Sequence, residues 1–403
     1  MRTAKLSKTG YNKLTNGELS LYEKDFENLS KSFFPGEWIS VENIPGVFGF
    51  INPLVIKGPI FRVVGKKSNT NFDKEIEEDF SKKILVKNID RALARRAMFN
   101  NLKDGSRLIY GDEDSLPGLI VDQYQNVIIL QINTAGIDRY RSFVADYLAS
   151  KLGGEVTFLD NKSYRSNEVL PEYEKTNKSG VISISENNFL YEIDWSLMQK
   201  VGYYYDHRIN REKLETVLMK YTGSKKTGLD LFSYIGSWGL HCLRAGVDHV
   251  DFVDQANMEE VTKRNLEIND FAKRGSFTRS DVFQFLEKAK NSDKKYDVIV
   301  CDPPAFAKDE SGKKGALRGY ERLYNLIFDI TAQSSIVAAA SCTHYVSMDE
   351  LDKCVQNAAK KKGVELQVLD LGIQGFDHPM MSMTSKSNYI KYILYYVRNG
   401  DGQ

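Results

Sequence analysis

Beyond about residue 186 the chain settles into a repeating rhythm in which short apolar runs alternate with longer amphipathic segments. TGLDLF is followed by a helical pattern from near Gly236, HVDFVD by MEEVTKRNLEIND, and YDVIVCD by GYERLYNLIFDITAQ. SIVAAASC is followed by DELDKCVQNAAKKK, and LQVLDLG and NYIKYILYYV close the series. Before the first strand, NREKLETVLMKYT also has helical spacing. Strand–helix alternation of this kind predicts a doubly wound, mostly parallel sheet with helices on both faces. Strands in such a sheet are buried on both sides and read as unbroken apolar runs, as Val298–Cys301 does. That run stops at Asp302-Pro303-Pro304. Proline lacks the N–H a ladder needs and holds φ nearly fixed, so the strand must end there, with Asp302 at its carboxyl end. Open α/β sheets bind their ligands at those ends.

The first half has a different pattern. To about residue 72, EWISVEN, VFGFI and IFRVVGKK read as short strands of a β-rich module. The charged stretch NTNFDKEIEEDFSKK reads as a linker or surface helix, and RALARRAMF has helical spacing with Arg91, Arg95 and Arg96 on it. RLIYGD, GLIVDQYQNVIILQI, DRYRSFVADYLASKL, EVTFLD and the pair VISIS–FLYEIDW suggest a compact α+β domain. Asn187-Asn188 marks the hairpin turn of that pair. The expected division is 1–72, 73–190 and 191–403.

Composition excludes several classes. A net charge of +1 over 403 residues is not that of a polyelectrolyte coating nucleic acid, so any RNA contact must come from local patches. No apolar stretch approaches the ~20 residues of a membrane span, and the basic N-terminus lacks the apolar core of a secretory signal. Cys242, Cys301, Cys342 and Cys354 show no CxxC spacing, so no metal site is expected and reduced thiols in the cytoplasm are.

Spaced acids indicate the cofactor. Gly236 and Gly239 follow an apolar strand as GxxG, which permits a sharp turn but lacks the full dinucleotide fingerprint. Asp254 ends the next strand, where a ribose is gripped roughly 20 residues on. Asp281 follows in the third unit beside Val282, and Asp302 in the fourth. Each acid has capping its own helix as its commoner fate. A loop without a phosphate-binding lysine, with acids along the rim, suits a cationic cofactor lacking phosphates, and S-adenosylmethionine fits. SIVAAASC ends at Cys342, which parallel pairing would bring beside Asp302. A thiolate adding at C6 of a pyrimidine makes C5 nucleophilic enough to take a methyl group, and a carboxyl group at N3 of cytosine eases that addition.

QKVGYYYDHRINR (199–211), LDLFSYIGSWGLH (229–241), FVDQANMEEVTKRNLEIN (252–269), CDPPAFAK (301–308) and SCTHYVS (341–347) together resemble the ribosomal RNA large subunit methyltransferase I family. RALARRAMF, GDEDSLPGLIVDQY (111–124) and RSNEVL (165–170) extend that resemblance from about residue 90 to the C-terminus. It implies a Rossmann-like class I methyltransferase domain, preceded by a small α+β domain and an N-terminal PUA-like, β-rich RNA-binding module. The module looks shortened around NIPGVFGFINPLVIKG. The implied activity is formation of 5-methylcytosine in 23S rRNA with S-adenosylmethionine, on a single-stranded or flipped-out base. Cys342 is the implied nucleophile and Asp302 the implied acid. The cofactor set expected on this reading is Tyr204, Arg208, Asn210, Asp230, Phe232, Tyr234, Gly236, Asp254, Asp281, Val282 and Asp302. Pro303, Pro304, Phe306 and Lys200 are expected at the substrate. Cys301 reads as packing inside its strand. The rival functions are a guanine N-methyltransferase, which leaves Cys342 without a task, and a catalytically silent rRNA-binding assembly factor. Neither membrane nor metal is an expected partner, and a homodimer stays open.

Overall fold

The computed structural model describes residues 1–30, 32–66, 77–99, 104–159, 162–172, 179–197, 202–292, 294–383 and 387–400. Its contacts group into two compact units. The first contains the described residues to Ile182 with Gly202, Tyr203 and Phe376–Pro379; the second contains the remainder.

In the first unit, Arg2–Ala4, Glu37–Val41, Val47–Ile51, Phe61–Lys66 and Ser20–Leu21 form a five-stranded sheet in that spatial order. A four-stranded sheet is built from Ser106–Tyr110, Leu119–Tyr124, Val127–Ile132 and Glu155–Phe158. The two sheets share a core in which Trp38, Phe48 and Phe50 meet Leu85, Ile89, Ile128 and Leu130. Gly136 passes so close to Phe50 that an added Cβ would lie 2.0 Å from its ring. The 1–72 segment and the α+β part therefore cohere as one body. The expected helix with three arginines is the end of Glu77–Ala97. Part of the charged stretch before it, 67–76, lies outside the described residues.

The Asn187-Asn188 turn is present, with both residues at positive φ, as a two-residue hairpin turn requires. However, the hairpin Val181–Glu186/Phe189–Asp194 belongs largely to the second unit rather than to residues 73–190. Its second strand is read by asparagine side chains: Asn265 accepts from Glu192 N (2.7 Å) and Asn269 from Leu190 N (3.0 Å). Those polar contacts come from a helix far along the chain, so strand patterning alone could not assign the hairpin.

The second unit's sheet has seven strands: β1 (Thr227–Leu231), β2 (His249–Asp254), β3 (Gly275–Arg279), β4 (Tyr296–Cys301), β5 (Thr331–Ser341), β6 (Val364–Gly372) and β7 (Lys391–Asn399). Their spatial order is β3-β2-β1-β4-β5-β7-β6. The first five pair in parallel, and β7 is antiparallel to both its neighbours. Among the described residues the α-helices that accompany the strands are α1 (Arg208–Lys220), α2 (Ser237–Arg244), α3 (Glu259–Ile268), α4 (Val282–Lys290), α5 (Lys313–Asp329) and α6 (Met348–Lys362). Every residue of β4 is buried, as its unbroken apolar run requires. Strand order reverses between β1 and β4, which opens a crevice at their carboxyl ends. Gly239 lets α2 lie against β2, since a Cβ there would come within 2.1 Å of Phe252.

Candidate active site

The reversal point gathers the loops that follow β1, β4 and β5. After β1, Phe232 and Tyr234 adopt positive φ (61° and 49°), and Gly236 does so at 88° as it opens α2. Two non-glycine residues in the left-handed region store strain, which is tolerated where the backbone must be shaped for a ligand. The loop from Phe232 to Gly236 carries no lysine or arginine.

Asp302 follows β4 directly and keeps a partly exposed side chain. Its Oδ2 accepts the indole N–H of Trp238 at 2.9 Å, and its Oδ1 lies 3.5 Å from His207 Nε2. The His207 tautomer follows from Asn210. Asn210 Nδ2 donates to Ile373 O (3.1 Å) and also lies 3.1 Å from His207 Nδ1. Nδ1 is then the acceptor, so the ring hydrogen sits on Nε2, towards Asp302. Trp238 stacks on Tyr392 with ring centroids 5.7 Å apart, which holds its indole in place.

Cys342 follows β5, whose register sets Cys301 beside Ala339. It is half-buried, whereas Cys242, Cys301 and Cys354 are buried. Its Sγ lies 3.7 Å from the carbonyl of Pro303, the residue after Asp302. The two loops are tied again by Phe306 N, which donates to Thr343 Oγ1 at 3.1 Å. Tyr320 brackets the cysteine, its hydroxyl pairing with Ser341 Oγ (2.7 Å) and Thr343 Oγ1 (2.9 Å). Tyr204 senses the whole rim: burial pushes its phenol up, and the charges of Asp206, Cys342, Asp302 and Asp254 push the same way.

Several expected residues have other tasks in the structure. Asp230 lies inside β1 rather than at its end, 1% exposed, with Oδ2 accepting Gly239 N at 2.8 Å. It anchors the first turn of α2, and burial raises its carboxyl to about 8, with Asp302 and Asp254 adding to the rise. Arg208 is buried with Nε 4.0 Å from Glu186, and Asn210 is buried against His207. Val282 is a core residue, because the first residue after the helix cap turns inward. Phe306 packs on Tyr320 with centroids 4.7 Å apart; Pro303 is buried and Pro304 exposed. Lys200 lies outside the described residues.

Asp254 accepts Tyr234 N and Ala256 N, each at 2.8 Å, and so shapes the loop after β1 from the end of β2. Asp281 caps α4 by accepting Gln284 N at 3.0 Å. It also borders an open hollow of about 620 Å³ shared with Phe283 and Arg322. Capping therefore operates at Asp281, and loop amides occupy Asp254, which leaves part of each carboxylate for a ligand.

Sequence reasoning missed Trp238, His207, Tyr320 and Lys391. Trp238 stands inside the GxxG loop, and Lys391 interrupts an otherwise apolar strand. Each was visible as an odd residue in its pattern, but its partner was not. The three arginines of RALARRAMF turn out to serve the fold. Arg96 is buried and bidentate to Asp114 at 2.7 Å, Arg95 meets the same carboxylate at 3.1 Å, and Arg91 donates to Ser115 Oγ at 2.9 Å.

A sheet of this order, five parallel strands followed by an antiparallel pair, is that of the Rossmann-like methyltransferase fold. A protein described as a methyltransferase and solved with SAH shares it at TM-score 0.76 and 18% identity, covering 98% of this chain and 100% of that one. A protein described as a SAM-dependent methyltransferase, from Streptococcus mutans, does so at TM-score 0.75 and 17% identity, with the same coverage. A family model described as "Conserved hypothetical protein 95" matches residues 208–322. The Ribosomal RNA large subunit methyltransferase I of Aeromonas salmonicida (strain A449) is 31% identical over 300 residues, 71% of this chain and 73% of that protein. Its Vibrio vulnificus (strain CMCP6) counterpart is 30% identical over 328 residues, 78% and 81% respectively. The chain belongs to the ribosomal RNA large subunit methyltransferase I family.

Proposed function

We propose that this protein methylates C5 of a cytosine in 23S rRNA with S-adenosylmethionine as methyl donor and Cys342 as nucleophile. One observation carries the reading: the only cysteine of the four that is not buried has its sulfur 3.7 Å from the loop that begins with Asp302. The rim suits a cationic adenosyl group without phosphates. Its loop after β1 has no basic side chain, its backbone is bent open at Phe232 and Tyr234, and Asp254, Asp281 and Asp302 bring negative charge. Asp254 and Asp281 would hold the adenosyl end, with Tyr204 and Tyr234 beside Asp254. When bound, S-adenosylmethionine supplies an electrophilic methyl group.

The chain's own residues supply the rest. The Cys342 thiolate forms a bond to C6, which drives electron density to C5. Asp302 faces N3 and passes it a proton, so the ring's added charge is neutralised as the S–C6 bond forms. After C5 is methylated its proton leaves to a base, the C5–C6 double bond re-forms as the S–C6 bond breaks, and N3 returns its proton to Asp302. Trp238 and His207 hold the carboxyl in one orientation, so little entropy is lost on binding the base. The β-rich N-terminal module is the proposed RNA-binding part, and a flipped-out cytosine is the form that can enter such a site.

Cys342→Ala is expected to bind S-adenosylmethionine normally and to form no 5-methylcytosine, read by nucleoside mass spectrometry on rRNA. Undiminished turnover in that variant, or a methylated guanine as product, would overturn the assignment.

A further inference from the structure

Lys391 is a buried lysine with no carboxylate at salt-bridge distance among the described residues. Its register partner across the β5–β7 pair is Ser341, the residue before Cys342. Its Nζ donates to the carbonyl of Thr343, the residue after Cys342, at 2.6 Å, and to Tyr389 O at 2.9 Å. The ammonium thus clasps the turn that carries the thiol. A buried cation without a counter-ion is costly, so its position demands a compensating negative charge. Glu350 is the acid that bears on it, but Lys313 already pairs with Glu350 at 2.8 Å. The other charge bearing on Lys391 is that of Cys342.

We propose that Lys391 is a positioning residue for the nucleophile: it is the resident counter-charge that keeps Cys342 as a thiolate and holds its turn in place. This rests on the reading of Cys342 as the nucleophile. Among the described residues, acids stand on the same rim. Asp302, Asp254 and Asp206 crowd the Tyr204 phenol that also feels Cys342, and carboxylates disfavour a second negative charge. Tyr204 and Tyr320, two phenols on which the Cys342 charge bears, are both held up by burial and stay neutral through the working range. His344 is the exposed titratable neighbour on the same turn. Burial brings Lys391 itself down to about 8, and the thiolate opposes that fall, so cation and thiolate stabilise each other below that pH.

The test is the pH profile of Cys342 alkylation by iodoacetamide, followed by intact mass with Cys342→Ala as the blank. In the wild-type protein the midpoint is expected below the ~8.5 of a free thiol. Lys391→Met removes both charge and donor; Lys391→Gln removes the charge but keeps an N–H for the two carbonyls. Both should raise the midpoint by about one unit and slow alkylation at pH 7 about tenfold. The same measurements in a His344→Gln background remove that ring's contribution. A wild-type midpoint at or above that of a free thiol overturns the proposal without any Lys391 variant. An unchanged midpoint in folded Lys391→Gln overturns it too. The two readings fail separately: a fully active Cys342→Ala sinks the nucleophile, whereas an unmoved midpoint beside an inactive Cys342→Ala sinks only the role of Lys391.

Discussion

Two carboxylates, Asp114 in the first unit and Asp302 in the second, stand beside nitrogen donors yet do opposite work. Asp114 is 1% exposed and accepts Arg96 twice at 2.7 Å, Arg95 at 3.1 Å and the Tyr110 amide at 2.7 Å. Its capacity is filled by the fold. Asp302 takes one short hydrogen bond, from Trp238, has His207 at 3.5 Å, and keeps part of its surface open. A carboxylate closed on all sides stabilises; one held from behind and open in front is available for chemistry.

That contrast is tested most severely at Arg96. Arg96→Ala leaves a buried carboxylate with its bidentate partner gone, and should cost about 3–5 kcal/mol of unfolding free energy in urea titration. A loss under about 1 kcal/mol would mean that the knot is ornamental. Asp302→Asn should do the reverse, lowering methyl transfer by about a hundred- to ten-thousandfold while the melting temperature stays near wild type. Loss of stability with activity intact would erase the distinction between the two acids. Trp238→Phe keeps an aromatic ring against Tyr392 but removes the N–H on Asp302. A fall of about tenfold in kcat with little change in cofactor affinity is the expected reading. The smallest effect is at Asp281, where Asp281→Ala should cost about 1 kcal/mol through the lost cap of α4. If S-adenosylmethionine affinity by calorimetry is unaltered in that variant, capping is all that Asp281 does.

The arginines of RALARRAMF teach the same lesson from the sequence side. Three basic residues on one helix look alike in a pattern, whether they face phosphate or a buried aspartate. Arg96 and Asp114 lie in separate motifs, RALARRAMF and GDEDSLPGL, and only folding showed that one answers the other. The spaced acids followed a similar course. Asp254 and Asp302 stand on the carboxyl rim as their strand positions required, whereas Asp230, in register with Phe252 and Val300 and so deeper in the sheet, became a buried anchor for Gly239.

By itself the sequence determined the doubly wound, mostly parallel sheet and the end of β4 at the two prolines. Local patterning decides these, because strand burial, helix spacing and proline's missing N–H act over a few residues. Only the tertiary structure decided which polar groups meet: Trp238 and His207 behind Asp302, Lys391 and Tyr320 around Cys342, and Arg96 on Asp114. Such contacts join residues distant along the chain, and their strength depends on burial and distance. Neither quantity exists until the elements are packed.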